Sequence, residues 1–120
     1  MNTINNEEQL AKLQWQIQRL ADVLPKDTAP VTKLAIQLGW GEEELNLCEE
    51  TFDQFQHKFD NEGSISGFEK SLKDRMGISY QTVKKIVLAF IAEGMYEDVC
   101  IEYAKQNDTL EMKRLLRSIS

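Results

Sequence analysis

Proline and glycine are scarce in this chain: two prolines, Pro25 and Pro30, and six glycines among 120 residues. So little punctuation excludes a collagen-like or linker-rich chain and leaves room for long helices. Cysteine is scarce as well. Two residues, Cys48 and Cys100, cannot build a disulfide scaffold, and both fall at apolar positions of helical patterns, where small core residues belong. The single histidine, His57, leaves zinc sites and histidine relays one candidate at most. No phosphate-cradling loop and no dinucleotide-binding glycine motif occurs. The longest wholly apolar run, residues 86–92, is far short of the roughly 20 residues that cross a bilayer. The first residues lack the basic-then-apolar order of a secretory signal. These absences point to a cytoplasmic, non-enzymatic protein with no metal, no cofactor and no membrane partner.

Basic charge is also short: 14 Lys and Arg stand against 20 Asp and Glu, for a net charge of −6. Nucleic-acid binding draws on a basic face that displaces counterions, and the best cluster here is Lys113 and Arg114 with Arg117. The balance argues against a nucleic-acid partner. An apolar fraction of 42% and a charged fraction of 28% are those of a folded chain rather than a disordered one, and 120 residues suit one domain.

What the chain does have is helical periodicity. Leu10, Leu13, Ile17, Leu20 and Leu24 recur in steps of three and four, which draws one heptad seam along a helix over 7–24, behind a polar tail over 1–6. Pro25 ends it. A short helix follows over 30–38, closed by Gly39. A second heptad array, Leu45, Cys48, Phe52, Phe55 and Phe59, marks a helix over 41–60, with Glu42, Glu43 and Glu44 at the positive end of its dipole. Ser66 with Glu69 reads as a capping box for a fourth helix that ends at Gly77. Ser79 caps a fifth, 80–93, apolar almost all round and so central to the core. A sixth runs over 96–106. Asp108 with Glu111 opens a seventh, whose apolar residues are Leu115, Leu116 and Ile119. The expected architecture is a compact all-α bundle of six to seven helices in one domain, with a heptad helix at 7–24 and a helical body over 30–120.

The first seam spans about two heptads, fewer than a free-standing coiled coil needs, and an isolated helix of this length is marginal in water. It must dock, either on copies of itself or as a hairpin on the third helix, whose own seam has the same spacing. Trp15 falls opposite the seam. It either packs on another part of the fold or anchors a partner. Trp40, between two glycines, reads as a lid on the core. Laid on the twelve-residue calcium loop, residues 58–69 bring Gly63 and Glu69 to the right places, but Lys58 stands where a carboxylate is required.

Residues Gly77-Ile-Ser-Tyr-Gln-Thr-Val-Lys-Lys-Ile-Val-Leu-Ala-Phe-Ile-Ala-Glu-Gly-Met-Tyr-Glu-Asp-Val-Cys-Ile-Glu-Tyr-Ala104 resemble the closing helix pair of the YhaI-like family, small all-helical proteins of unknown function from Bacillus and its phages. The amphipathic segment 10–24, the acidic helix 42–60 and the glycine-containing turn 63–72 are similar too, so the resemblance covers about residues 10–105. It implies a helical fold and a Gram-positive or phage setting, and no chemistry. The functional expectation is a helical protein–protein interaction module, a self-associating regulator or inhibitor of a larger protein, with Leu10, Leu13, Trp15, Ile17, Leu20 and Leu24 as its interaction residues. The alternative is a small-ligand binder, for nucleotides or signals, built where Lys33, Lys84, Lys85, Arg114 or Arg117 converge.

Overall fold

The computed structural model describes residues 3–25, 27–107 and 109–119, with side chains from residue 6 to residue 118 of these. Among them are seven helices and no strand: α1 (Thr3–Val23), α2 (Pro30–Gln37), α3 (Glu42–Glu62), α4 (Phe68–Met76), α5 (Tyr80–Ala92), α6 (Glu97–Gln106) and α7 (Leu110–Ile119). The chain is an all-α bundle, and no described helix is long and apolar enough to cross a membrane.

Local chemistry explains most helix ends. Pro30 opens α2 in the first turn, where its missing N–H costs nothing. Gly39 closes it in the left-handed region at φ 73°. The Trp40 N–H then reaches the Ala35 carbonyl at 2.9 Å and the Gly39 N–H the Ile36 carbonyl at 3.1 Å, the two-bond stop that left-handed geometry permits. At α3 the Gly41 N–H donates to Glu44 Oε2 at 3.1 Å. At α5 Ser79 Oγ accepts from the Thr82 N–H at 3.2 Å.

Three expectations need correction. α1 begins at Thr3 rather than at Glu7, so most of the expected polar tail is helix. Residues 3–6 contain neither glycine nor proline, and an existing helix extends at one hydrogen bond per residue; Met1 and Asn2 lie outside the described residues. Leu24 falls just past the end of α1. Ser66 does not cap α4. Gly67, at φ 85° and ψ 0°, precedes Phe68, and the Phe68 N–H bonds the Ile65 carbonyl at 3.0 Å. That is the geometry of a type II turn, whose third residue favours glycine. The turn lets Ile65 and Phe68, each 2% exposed, both enter the core. At α7 the cap in view is Thr109, whose Oγ1 accepts from the Met112 N–H at 3.2 Å; Asp108 and the side chain of Ile119 lie outside the described residues.

The core is aromatic and centres on α3. The Phe52 ring lies 5.0 Å from Phe68, 4.6 Å from Phe90 and 5.2 Å from Tyr96. Phe55 meets Phe68 edge-on at 5.5 Å, and Phe68 meets Tyr103 at 5.7 Å. Val83, Ile86, Val87 and Phe90 of α5 fill the space between, with Cys48, Leu72, Val99 and Cys100. The second heptad seam is therefore the wall against which α4, α5 and α6 close. α5 is the central helix that its all-round apolar character implied.

α1 stands apart from this body. It packs on α2, burying Ala21 to 1% exposure. The molecule measures 58 × 28 × 20 Å with a radius of gyration of 16.5 Å, against about 14 Å for a spherical chain of this length. A 21-residue helix is about 31 Å long, and only its last turns rest on the bundle.

Candidate functional site

The polar ties of α1 cluster at its C-terminal end. Gln37 Nε2 donates to Asp22 Oδ1 at 3.2 Å, and Lys33 Nζ donates to the Leu24 carbonyl at 3.4 Å. A cation at that end suits the negative pole of α1. The partner helix is itself fixed from a distance: the Val31 N–H in the first turn of α2 donates to Glu93 Oε2 at 2.7 Å. α5 thus supplies through Glu93 the cap that α2 lacks, since Ala29 has no side chain that can accept.

With α1 held in this way, its heptad residues are left uncovered. Leu10, Leu13, Ile17, Leu20 and Leu24 are between 43 and 66% exposed. The hairpin with α3 is ruled out, because the α3 seam is already filled by Phe68, Phe90 and Tyr96. α2 meets α1 on a different stripe, through Ala21 at the edge of the seam and Asp22 on the side opposite it. Along the other edge Val23 is 73% exposed.

Trp15 is 61% exposed, so it does not pack on the bundle. The Arg19 guanidinium sits 5.6 Å from its ring centroid, a cation–π contact worth about 0.5–1 kcal/mol at an exposed site. Trp15, Gln16, Arg19, Leu20 and Val23 line a shallow depression of about 470 Å³. Leu20 belongs both to this depression and to the seam, so the apolar surface wraps around the free side of α1.

A second depression, of about 560 Å³, lies between α1 and the α2–α3 corner. Leu10, Leu13, Gln14, Ile17 and Gln18 form one wall, and Ile36, Gly39 and Trp40 the other. Ile36 and Trp40 are half-buried; Trp40 rests on the core as its position between glycines suggested. Sequence reasoning missed Val23, Ile36 and Trp40 as parts of this surface. Val23 flanks the seam in the heptad register and was readable in principle, whereas Ile36 and Trp40 join it only through the way α2 crosses α1.

The remaining features offer less. His57 is exposed. α3 stays helical through Glu62, where a calcium loop would have to turn, and Lys58 Nζ donates to the Ser66 carbonyl at 2.9 Å. No cluster of three or more His, Cys, Asp or Glu suited to a metal occurs among the described residues. Burial, with Glu49 beside one thiol and Glu97 beside the other, pushes Cys48 and Cys100 up to about 12, so neither is a ready nucleophile. A polar cleft of about 370 Å³ is lined in part by Glu69, Lys70, Tyr103 and Asn107. Three of its polar groups are already engaged: Tyr103 Oη donates to Glu69 Oε2 at 2.7 Å, and Asn107 Oδ1 accepts from Tyr80 Oη at 2.5 Å. Of the lysines and arginines considered for a ligand, Lys33 and Lys85 share one shallow groove between α2 and α5, while Lys84 lies over the Tyr80 ring at 4.6 Å.

No family model, no curated protein and no solved structure matches the chain.

Proposed function

We propose that this chain is a non-enzymatic helical interaction protein that self-associates through α1 and regulates or inhibits a larger protein. The observation that carries the reading is the heptad seam left open along α1 and just past its end: Leu10, Leu13, Ile17 and Leu20 on the helix and Leu24 beyond it, each roughly half exposed. The flanks favour like with like. Gln9, Gln14, Gln16, Ala21 and Val23 carry no charge, so two copies of an acidic chain meet there without repulsion. Covering what is left of each seam residue contributes about 1 kcal/mol, or roughly 10 kcal/mol for a symmetrical pair. That is of the same order as the cost of association, so the seam alone supports a weak, concentration-dependent pair.

The kinship with the YhaI-like family, and with it a Gram-positive or phage setting, belongs to the same proposal. It is supported by the matching residues 77–104 forming the consecutive helices α5 and α6. The small-ligand reading has weaker support. Its groove is open to solvent, and Lys33 is already engaged with the Leu24 carbonyl.

The test is sizing by light scattering from about 10 to 500 µM, with Leu13→Asp and Leu20→Asp combined. The wild-type chain is expected to grow from monomer to dimer or larger. The double variant is expected to stay monomeric with unchanged helicity, since both positions are exposed. A wild-type chain that remains monomeric throughout overturns self-association, and a double variant that loses its fold instead shows that the seam serves the chain's own packing.

A further inference from the structure

We infer that the second copy seats its α1 in the groove between α1 and the α2–α3 corner, so that Ile36 and Trp40 belong to the dimer interface. This rests on the self-association proposed above and specifies where it occurs. Two observations favour the groove over seam-on-seam contact alone. The first is area. A strip along α1 about 31 Å long and about 10 Å wide covers roughly 300 Å², well below the roughly 800 Å² per partner of an ordinary stable interface. The second wall of Ile36, Gly39 and Trp40 widens the strip toward that range. It also turns a two-helix contact into a four-helix one, with α1 and α2 contributed by each copy.

The second observation is chemical. The polar lining of the groove is Gln14 and Gln18. A glutamine amide both donates and accepts, so these side chains can satisfy their counterparts on an identical helix, while a charged partner helix would bring an unpaired charge into an apolar groove. Gly39 leaves the corner open: a Cβ built there meets no atom within 4 Å. A leucine of the second copy can therefore approach the corner backbone. Among the described residues the polar ties of α1 and its connector to α2 lie at Asp22 and Leu24, away from the groove beside Leu10 and Leu13.

The chain's two tryptophans make the inference testable. Trp15→Phe leaves Trp40 as the sole emitter and alters a side chain on the side of α1 away from the groove. Emission is recorded across the same dilution series as light scattering. The expected result is a blue shift of Trp40 that follows the dimer fraction with one midpoint. In the full-length chain Ile36→Lys should weaken the dimer at least tenfold while circular dichroism stays unchanged. If dimers form by light scattering and Trp40 emission does not move, the groove is not the interface, although the seam reading survives. If Trp15→Phe alone abolishes the dimer, the interface lies on the Trp15 side and the inference falls. A wild-type chain that is monomeric at every concentration overturns both.

Discussion

Glu93 illustrates how a single side chain can tie two distant helices together. It follows α5 in the chain, yet its carboxylate accepts from the Val31 N–H at the start of α2, 62 residues away. An acid at the positive end of a helix satisfies an orphan donor and meets the dipole favourably. The expected cost of Glu93→Ala is about 1 kcal/mol in urea unfolding, and Glu93→Gln, which keeps an acceptor, should recover more than half of it. If both substitutions are neutral, water caps α2 as well as Glu93 does. The same carboxylate has an indirect effect on the proposed interface, because it fixes the helix that forms the groove's second wall. Trp15 is the opposite case at this scale: an aromatic that the fold leaves in solvent, with Arg19 resting over its ring.

Among the elements, α1 and α5 are the extremes. α5 buries Val83, Ile86, Val87, Ala89 and Phe90 and is stabilised by its neighbours on nearly every side. α1 buries Ala21 and depends on its own hydrogen bonds for most of its length, where a helix in water is marginal. Amide exchange should therefore separate them. Amides of α1 between residues 7 and 17 are expected to exchange at least tenfold faster than those of α5 in dilute solution. Raising the protein concentration should slow α1 and leave α5 unchanged, because a second copy covers only the first. Uniform protection along both helices in dilute solution would mean that α1 is held by contacts within one chain.

For the whole molecule, the buried protic groups set a pH limit. Cys48 and Cys100 are pushed from 9.0 to about 12 by burial. Tyr96 and Tyr103 are held above the ordinary tyrosine value of 10.0, first by burial and then by the nearby carboxylates of Asp53 and Glu69. The fold favours the protonated form of all four. Their contribution is thus complete below pH 9, where the unfolded chain also keeps these protons. The cysteines' share is lost between about pH 9 and 12, and the tyrosines' share from about pH 10 upward, as the unfolded chain releases these protons first. The urea midpoint should fall between pH 8.5 and 10.5, and replacing both cysteines with alanine should flatten that fall. A midpoint independent of pH over this range would contradict the burial of the four groups.

Much of this architecture is legible in the residue pattern. The 3.6-residue periodicity, the acidic first turn at Glu42–Glu44 and the cap at Ser79 mark the helices, because helix formation is local: the bonds run four residues back and the caps three residues on. The two seams are equally plain. Their fates are not, since a heptad states only that a helix face is apolar and is silent on what covers it. Phe52 and Phe55 proved to be core and Leu13 and Leu20 surface, although the spacing is the same. The turn at Gly67, which leads into α4 where Ser66 was expected to cap it, was obscured because Ile65 and Phe68 must enter the core together, a requirement of packing rather than of local preference. The sequence by itself determined an all-helical chain, the position of its breaks and the existence of two apolar helix faces. Tertiary structure alone decided that α4, α5 and α6 close over one face while α2 grips α1 on another stripe and leaves its seam in solvent. The physical reason is that periodicity is a property of one helix, whereas burial is a property of a pair.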